Sequence, residues 1–212
     1  MKKRWVVIVA IFLLLALAGE GRAITFGVKG GLNFANIKAS PVTPDLPQFK
    51  TLPGFMGGVF VCFDVGPLAI QPELLYARRG TKVDLTIDSS PYTAEYRLDY
   101  FEGLLLLQWK ILPAGPLKPV IFAGPSYGSL SKAKAVLFDA SGSYVDSVDI
   151  KDMFKSGELA AVFGAGVELK LPFLKLFLEG RYHLGLFNIA ASGFEGDSIK
   201  NKGLTMMMGV AF

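Results

Sequence analysis

Charged side chains recur at alternate positions along several short segments of an otherwise apolar chain. Eight of them form a balanced set, with the bases Lys29, Lys110, Lys170 and Arg181 and the acids Glu73, Glu102, Glu168 and Glu179. A spacing of two puts such residues on one face of a β-strand. Opposed acids and bases could line an ion or proton path, or they could pair into a structural network, in which Glu73 and Glu102 are expected to sit near Arg181 or Lys29 and be paired. Catalytic chemistry has less support. His183 is the single histidine, has no serine beside it to act as a nucleophile, and reads as a lumen or interface residue. Asp146, Asp149 and Asp152 lack the ligand spacing of a calcium loop. No Cys/His cluster suits zinc, and no glycine-rich phosphate motif opens a helix. The single cysteine, Cys62, has no partner for an internal disulfide and reads as a small apolar filler within a strand. No catalytic residue, cofactor or metal is therefore assigned, and the chain reads as a protein other than an enzyme.

The elements that must carry these charges are strands. Eight segments of about ten residues show period-2 patterning. They are Thr25–Phe34, Phe55–Val65, Leu68–Arg79, Arg97–Ile111, Val120–Leu130, Glu158–Lys170, Leu174–Leu186 and Lys202–Phe212. In the first, Phe26, Val28, Leu32 and Phe34 oppose Lys29 and Asn33. In the seventh, Leu176, Leu178, Tyr182, Leu184 and Leu186 oppose Glu179, Arg181 and His183. The fifth contains Gly124-Pro125 and leaves its face assignment open.

The connections alternate in length. Gly66-Pro67, Leu112–Pro119 and Leu171–Phe173 are short, whereas Ala35–Gly54, Gly80–Tyr96, Ser131–Gly157 and Asn188–Asn201 are long. A membrane barrel sorts its connections in this way, with tight turns on the periplasmic side and loops outside. A soluble barrel has no physical reason to do so. Trp109, near a short turn, and Tyr76 and Tyr182, near the loops, suit the two membrane interfaces.

The N-terminus supplies an export signal. Met1–Arg4 is basic, Trp5–Ala18 is an unbroken apolar run of 14 residues, and Gly21-Arg22-Ala23 offers a small-residue cleavage site. Residues 1–23 are thus expected to be removed, leaving 24–212 as one barrel domain. Cleavage leaves 18 basic and 17 acidic residues, a net charge near +1 in place of +4, so no nucleic-acid partner is implied. The rest of the chain has no apolar run long enough for a spanning helix. Of the two structures that satisfy every backbone group in lipid, the closed barrel remains.

Several short stretches resemble the porin-family, or PorT-like, outer membrane β-barrel domain. They are Gly27–Asn36 (GVKGGLNFAN), Gln71–Tyr76 (QPELLY), Tyr100-Phe101-Glu102, Phe122–Pro125 (FAGP) and Glu179–Tyr182 (EGRY). The resemblance covers Ile24 to Phe212 and implies an eight-stranded barrel in the outer membrane of a Gram-negative bacterium. Members of that family commonly end in a strand with a terminal aromatic, which the barrel-assembly machinery recognises. Phe212 takes that role here by resemblance.

The expected architecture is all-β, an antiparallel up-and-down transmembrane barrel. Its expected role is structural or interactive, a monomer in outer membrane lipid that offers its outer loops to envelope or extracellular proteins. The charged lumen then acts as a plug, because an eight-stranded barrel is just wide enough for side chains to fill. Two alternatives are a small-solute channel and a soluble, lipocalin-like periplasmic barrel.

Overall fold

The computed structural model describes residues 24–40, 50–87, 89–112, 115–187, 189 and 198–212. The expected signal segment, residues 1–23, lies outside them, as do parts of the first and last loops.

Among the described residues nine strands follow in chain order: β1 Ile24–Ser40, β2 Lys50–Val65, β3 Leu68–Ile87, β4 Ser90–Lys110, β5 Leu117–Asp139, β6 Tyr144–Asp149, β7 Gly157–Lys170, β8 Lys175–Gly185 and β9 Ser198–Ala211. Eight close an antiparallel ring in the order β1-β2-β3-β4-β5-β7-β8-β9, and β6 joins β5 outside the ring. The seam pairs β1 with β9, from Gly27 opposite Ala211 to Ser40 opposite Ser198. Two backbone bonds between Phe26 and Phe212, of 3.1 and 2.8 Å, finish it. Closure leaves no open edge within the ring, which is the condition for strands to cross lipid.

The faces follow the alternation. Val28, Leu74, Leu105, Leu107, Leu178 and Met208 are exposed on the exterior, as a lipid-facing surface requires. Lys29, Glu73, Glu102, Glu179 and Arg181 are buried inside. The fifth strand resolves the same way, with Val120, Phe122, Ser126 and Leu130 inward and Ile121, Ala123 and Tyr127 outward. Gly66, at φ +63, supplies the left-handed residue of the two-residue turn between β2 and β3.

The structure corrects the sequence reading at the loop end. Gly80–Tyr96 is not a loop. β3 and β4 stay in register through it, from Gly80 opposite Arg97 to Ile87 opposite Ser90. Likewise Ser131–Gly157 holds the continuation of β5, then β6, then a 3-10 turn at Lys151–Met153. Beyond lipid the exterior meets polar surroundings, so the alternation inverts while the hydrogen-bond ladder continues: Val83, Ala94, Leu98 and Tyr100 are buried inside, and Lys82, Asp84, Glu95 and Arg97 alternate with them.

Within this extension β5 carries a bulge. Tyr100 pairs with Leu130 but Asp99 pairs with Lys132, so Ser131 is an extra residue. The one-residue shift turns Ala133 inward, fully buried, and Lys132 and Lys134 outward, both exposed. Leu98, Tyr100, Leu130 and Ala133 then form an apolar layer at the loop end, which Ile150 and Phe154 of the third connection cover. Ile150 N–H donates to Ala133 O at 3.0 Å and fixes that cover.

Candidate functional site in the barrel lumen

The inward charges sort into three levels. At the turn end, Lys110 Nζ donates to Asp64 Oδ1 at 2.7 Å and lies 3.0 Å from Glu168 Oε2. Lys175 Nζ joins them, 3.4 Å from Asp64 Oδ2, and donates to Thr25 Oγ1 at 2.9 Å.

Midway, Arg181 grips Glu73 with both ends of its guanidinium, at 2.6 Å and 2.8 Å. Lys29 Nζ donates to Glu73 and to Glu179 at 2.9 Å each. Gln71 Nε2 adds a bond of 2.6 Å to Glu73. Two aromatic rings flank these bases: Lys29 Nζ lies 4.3 Å from the Phe60 centroid, and the Arg181 guanidinium 5.5 Å from that of Phe122. Gly164 makes room for Phe122, since a Cβ there would fall 2.7 Å from the ring.

At the loop end, Arg79 Nη1 donates to Glu158 at 3.0 Å, and Nη2 meets His183 Nδ1 at 3.0 Å. Arg79 Nη2 also lies 2.6 Å from Glu102 Oε1, an ion pair too oblique for a hydrogen bond. Asn201 Nδ2 donates to Glu158 at 2.9 Å. Both Glu102 carboxylate oxygens, Glu158 Oε1 and His183 Nε2 have no hydrogen-bond partner among the described residues.

Seven of the eight charges singled out in sequence therefore lie in the lumen, but not as one network. Lys29, Glu73, Glu179 and Arg181 form the middle level. Lys110 and Glu168 belong to the turn end. Glu102 meets Arg79, not the expected Arg181 or Lys29. Lys170 does not join at all. It is exposed at the end of β7, with no ion-pair partner among the described residues, because its strand runs past the enclosed lumen there.

Sequence reasoning left out Arg79, Glu158, Asp64 and Lys175 from the charge set, and placed His183 only as a lumen or interface residue. The signal was present: Arg79 has the parity of Gln71 and Glu73, and Glu158 that of Glu168. Asp64 and Lys175, at strand ends, also keep the inward parity of their strands, that of Phe60 and Cys62 and that of Glu179 and Arg181.

Outside, aromatic residues gather near the loop end of the apolar band. Tyr76 lies 5.5 Å from both Phe55 and Phe101, and Tyr182 5.3 Å from Phe163. Trp109 is half exposed towards the turn end, and Phe212 is exposed at the end of the seam. Among the described residues no group of His, Cys, Asp and Glu is arranged to hold a metal ion.

Comparison with known proteins gives the same architecture a family. No curated protein matches the chain in sequence. Among solved structures, the chain is similar to Neisserial surface protein A at 14% identity, with a TM-score of 0.49, covering 91% of this chain and 100% of that one. It is similar to Ail, the attachment invasion locus protein of Yersinia pestis, at 12% identity and a TM-score of 0.42, covering 89% and 98%. The N-terminal β-barrel domain of Pseudomonas aeruginosa OprF follows at 10% identity and a TM-score of 0.38, covering 88% and 97%. A family profile described as outer membrane protein beta-barrel domain matches residues 16–191, most of the chain. The chain thus belongs to the outer membrane protein beta-barrel domain family, and its place is the outer membrane of a Gram-negative bacterium.

Proposed function

We propose that the barrel acts as a closed, rigid anchor that presents its extracellular strands to other envelope or extracellular proteins, and that it neither conducts solutes nor catalyses a reaction. One observation carries this reading: at each of the three lumen levels an ion pair joins strands that are not neighbours in the ring. Lys110 on β4 bridges Asp64 on β2 and Glu168 on β7. Arg181 on β8 reaches Glu73 on β3. Arg79 on β3 reaches Glu158 on β7. A continuous water path would have to separate these pairs at all three levels, leaving charges unpaired in a narrow lumen, which is costly.

The outer part supports the interaction role. The third connection is a folded hairpin, and its last strand, β6, pairs only with β5 among the described residues. Tyr144, Val145 and Val148 are exposed on it. Loops held by a rigid scaffold commonly carry recognition.

The test is conductance of the full chain in planar bilayers. The expected result is a silent bilayer, with crosslinks in intact cells from cysteines placed at Val145 or Val148 to envelope or extracellular proteins. Stable, reproducible conductance steps from the unmodified protein would reject the closed-anchor reading in favour of the channel.

A further inference from the structure

The bulge at Ser131 builds a basic site on the barrel exterior that the lumen argument does not use. On β4 and β5 the lipid-facing apolar positions end at Phe101 and Tyr127, both exposed. The next outward pairs are Asp99 with Lys132 and Arg97 with Lys134. At about 3.4 Å per residue and a tilt of roughly 40°, these pairs lie about 5 Å and 10 Å beyond Phe101 along the barrel axis. The polar headgroup layer begins at the edge of the apolar band and is about 5–8 Å deep.

The arrangement is unfavourable as it stands. Arg97 and Lys134 face each other directly, and like charges in that position destabilise a strand pair. Each nearby acid has a hydrogen-bond partner other than these lysines, although Asp99 lies opposite Lys132 and Asp149 opposite Lys134. Arg78 Nε donates to Asp99 at 2.8 Å, Arg97 Nη2 donates to Glu95 at 2.7 Å, and Asp149, opposite Lys134 on β6, accepts from Lys151 N–H at 2.9 Å. Lys132 and Lys134 are exposed and have no hydrogen bond or ion pair to a described residue. Two ammonium groups that make no hydrogen bond or close ion pair, beside a guanidinium and spanning the headgroup layer to just beyond its outer edge, match a phosphate monoester by charge and by donor number.

We propose that Lys132, Lys134 and Arg97 bind the phosphate of an outer-leaflet glycolipid, whose acyl chains lie along the apolar face formed by Leu105, Leu107 and Ile121. The lipid then fixes the barrel's depth and its rotation relative to its neighbours, and relieves the Arg97–Lys134 repulsion.

The experiment uses the full chain folded in a phosphate-free maltoside detergent and titrated with bis-phosphorylated lipid A, bound lipid being counted by native mass spectrometry. The expected result is saturable binding that weakens at least about tenfold in Lys132→Gln/Lys134→Gln, weakens at high salt, and is unchanged in Lys170→Gln at the opposite end. Equal binding of the same lipid after phosphatase treatment would overturn the proposal, since acyl chains alone would then account for the affinity. Displacement by inorganic phosphate at a concentration comparable to the lipid would overturn it too, in favour of a soluble anion. If the double variant does not fold, the comparison of phosphorylated with dephosphorylated lipid on the unmodified protein decides the matter by itself.

Discussion

Arg181 on β8 and Glu73 on β3, 108 residues apart in sequence, meet across the lumen in a two-pronged contact of 2.6 and 2.8 Å. Both side chains are fully buried. Removing one partner leaves the other as an uncompensated buried charge, a change that costs about 3–5 kcal/mol in soluble proteins. Arg181→Leu is therefore expected to destabilise the barrel by a cost of that size in urea unfolding from lipid vesicles. Glu73→Leu/Arg181→Leu is expected to recover part of the loss, because the pair is deleted together. A double variant as unstable as the sum of the singles would show that the two residues do not act as a pair.

Leu105 and Leu178 are half exposed on the exterior, within the apolar band. Arginine at either position is expected to cost about 2–4 kcal/mol in the same urea unfolding from lipid vesicles, and phenylalanine little. Tolerance of arginine at both would reverse the assignment of inside and outside.

Deleting Ser131 removes the bulge and brings Lys132 and Lys134 to the inner face, against Leu98, Tyr100 and Ile150. A one-residue slip exchanges the two faces of a strand. The ring should still assemble, because β5 pairs with β7 from Leu117 to Ser129, before the bulge. Hydrogen exchange in residues 132–154 should rise sharply while that of residues 117–129 is retained. Unchanged protection of residues 132–154 would mean that the bulge does not set the extracellular layer.

Asp139 closes the turn between β5 and β6. Its Oδ1 accepts from the Ser141 hydroxyl at 2.6 Å and from the Ser141 and Ser143 N–H groups at 2.9 Å each. The Ser141 hydroxyl bond, followed by the Ser143 N–H, holds the carboxyl below its ordinary value. A carboxylate whose value is lowered by folding contributes order at neutral pH, and this is lost as the pH falls through the lowered value. The tip should stay ordered at pH 5 and loosen only below the usual carboxylate range. NMR line widths of Gly142 and Ser143 would follow it, and Asp139→Asn should remove the pH dependence. Loosening between pH 6 and 7 would contradict this account.

The sequence by itself determined the ring. Eight apolar alternations, the sorting of short turns to one end and a charged opposite face were enough, because in lipid the side-chain period is the only freedom a closed strand retains. The residues that fill the lumen followed from the same alternation, Lys29, Glu73, Glu179 and Arg181 among them. Tertiary structure decided how they pair. Glu102 meets Arg79 instead of Arg181, because a closed ring brings distant strands together at heights set by stagger and tilt, which a linear pattern does not carry. Tertiary structure also decided the extracellular part. Past the lipid the period survives with its sense reversed, apolar inward and polar outward, so a pattern keyed to an apolar exterior stops there while the backbone ladder continues. A single unpaired residue, Ser131, then sets which way Lys132 and Lys134 point, because the face of every later side chain depends on whether that residue is counted in the register.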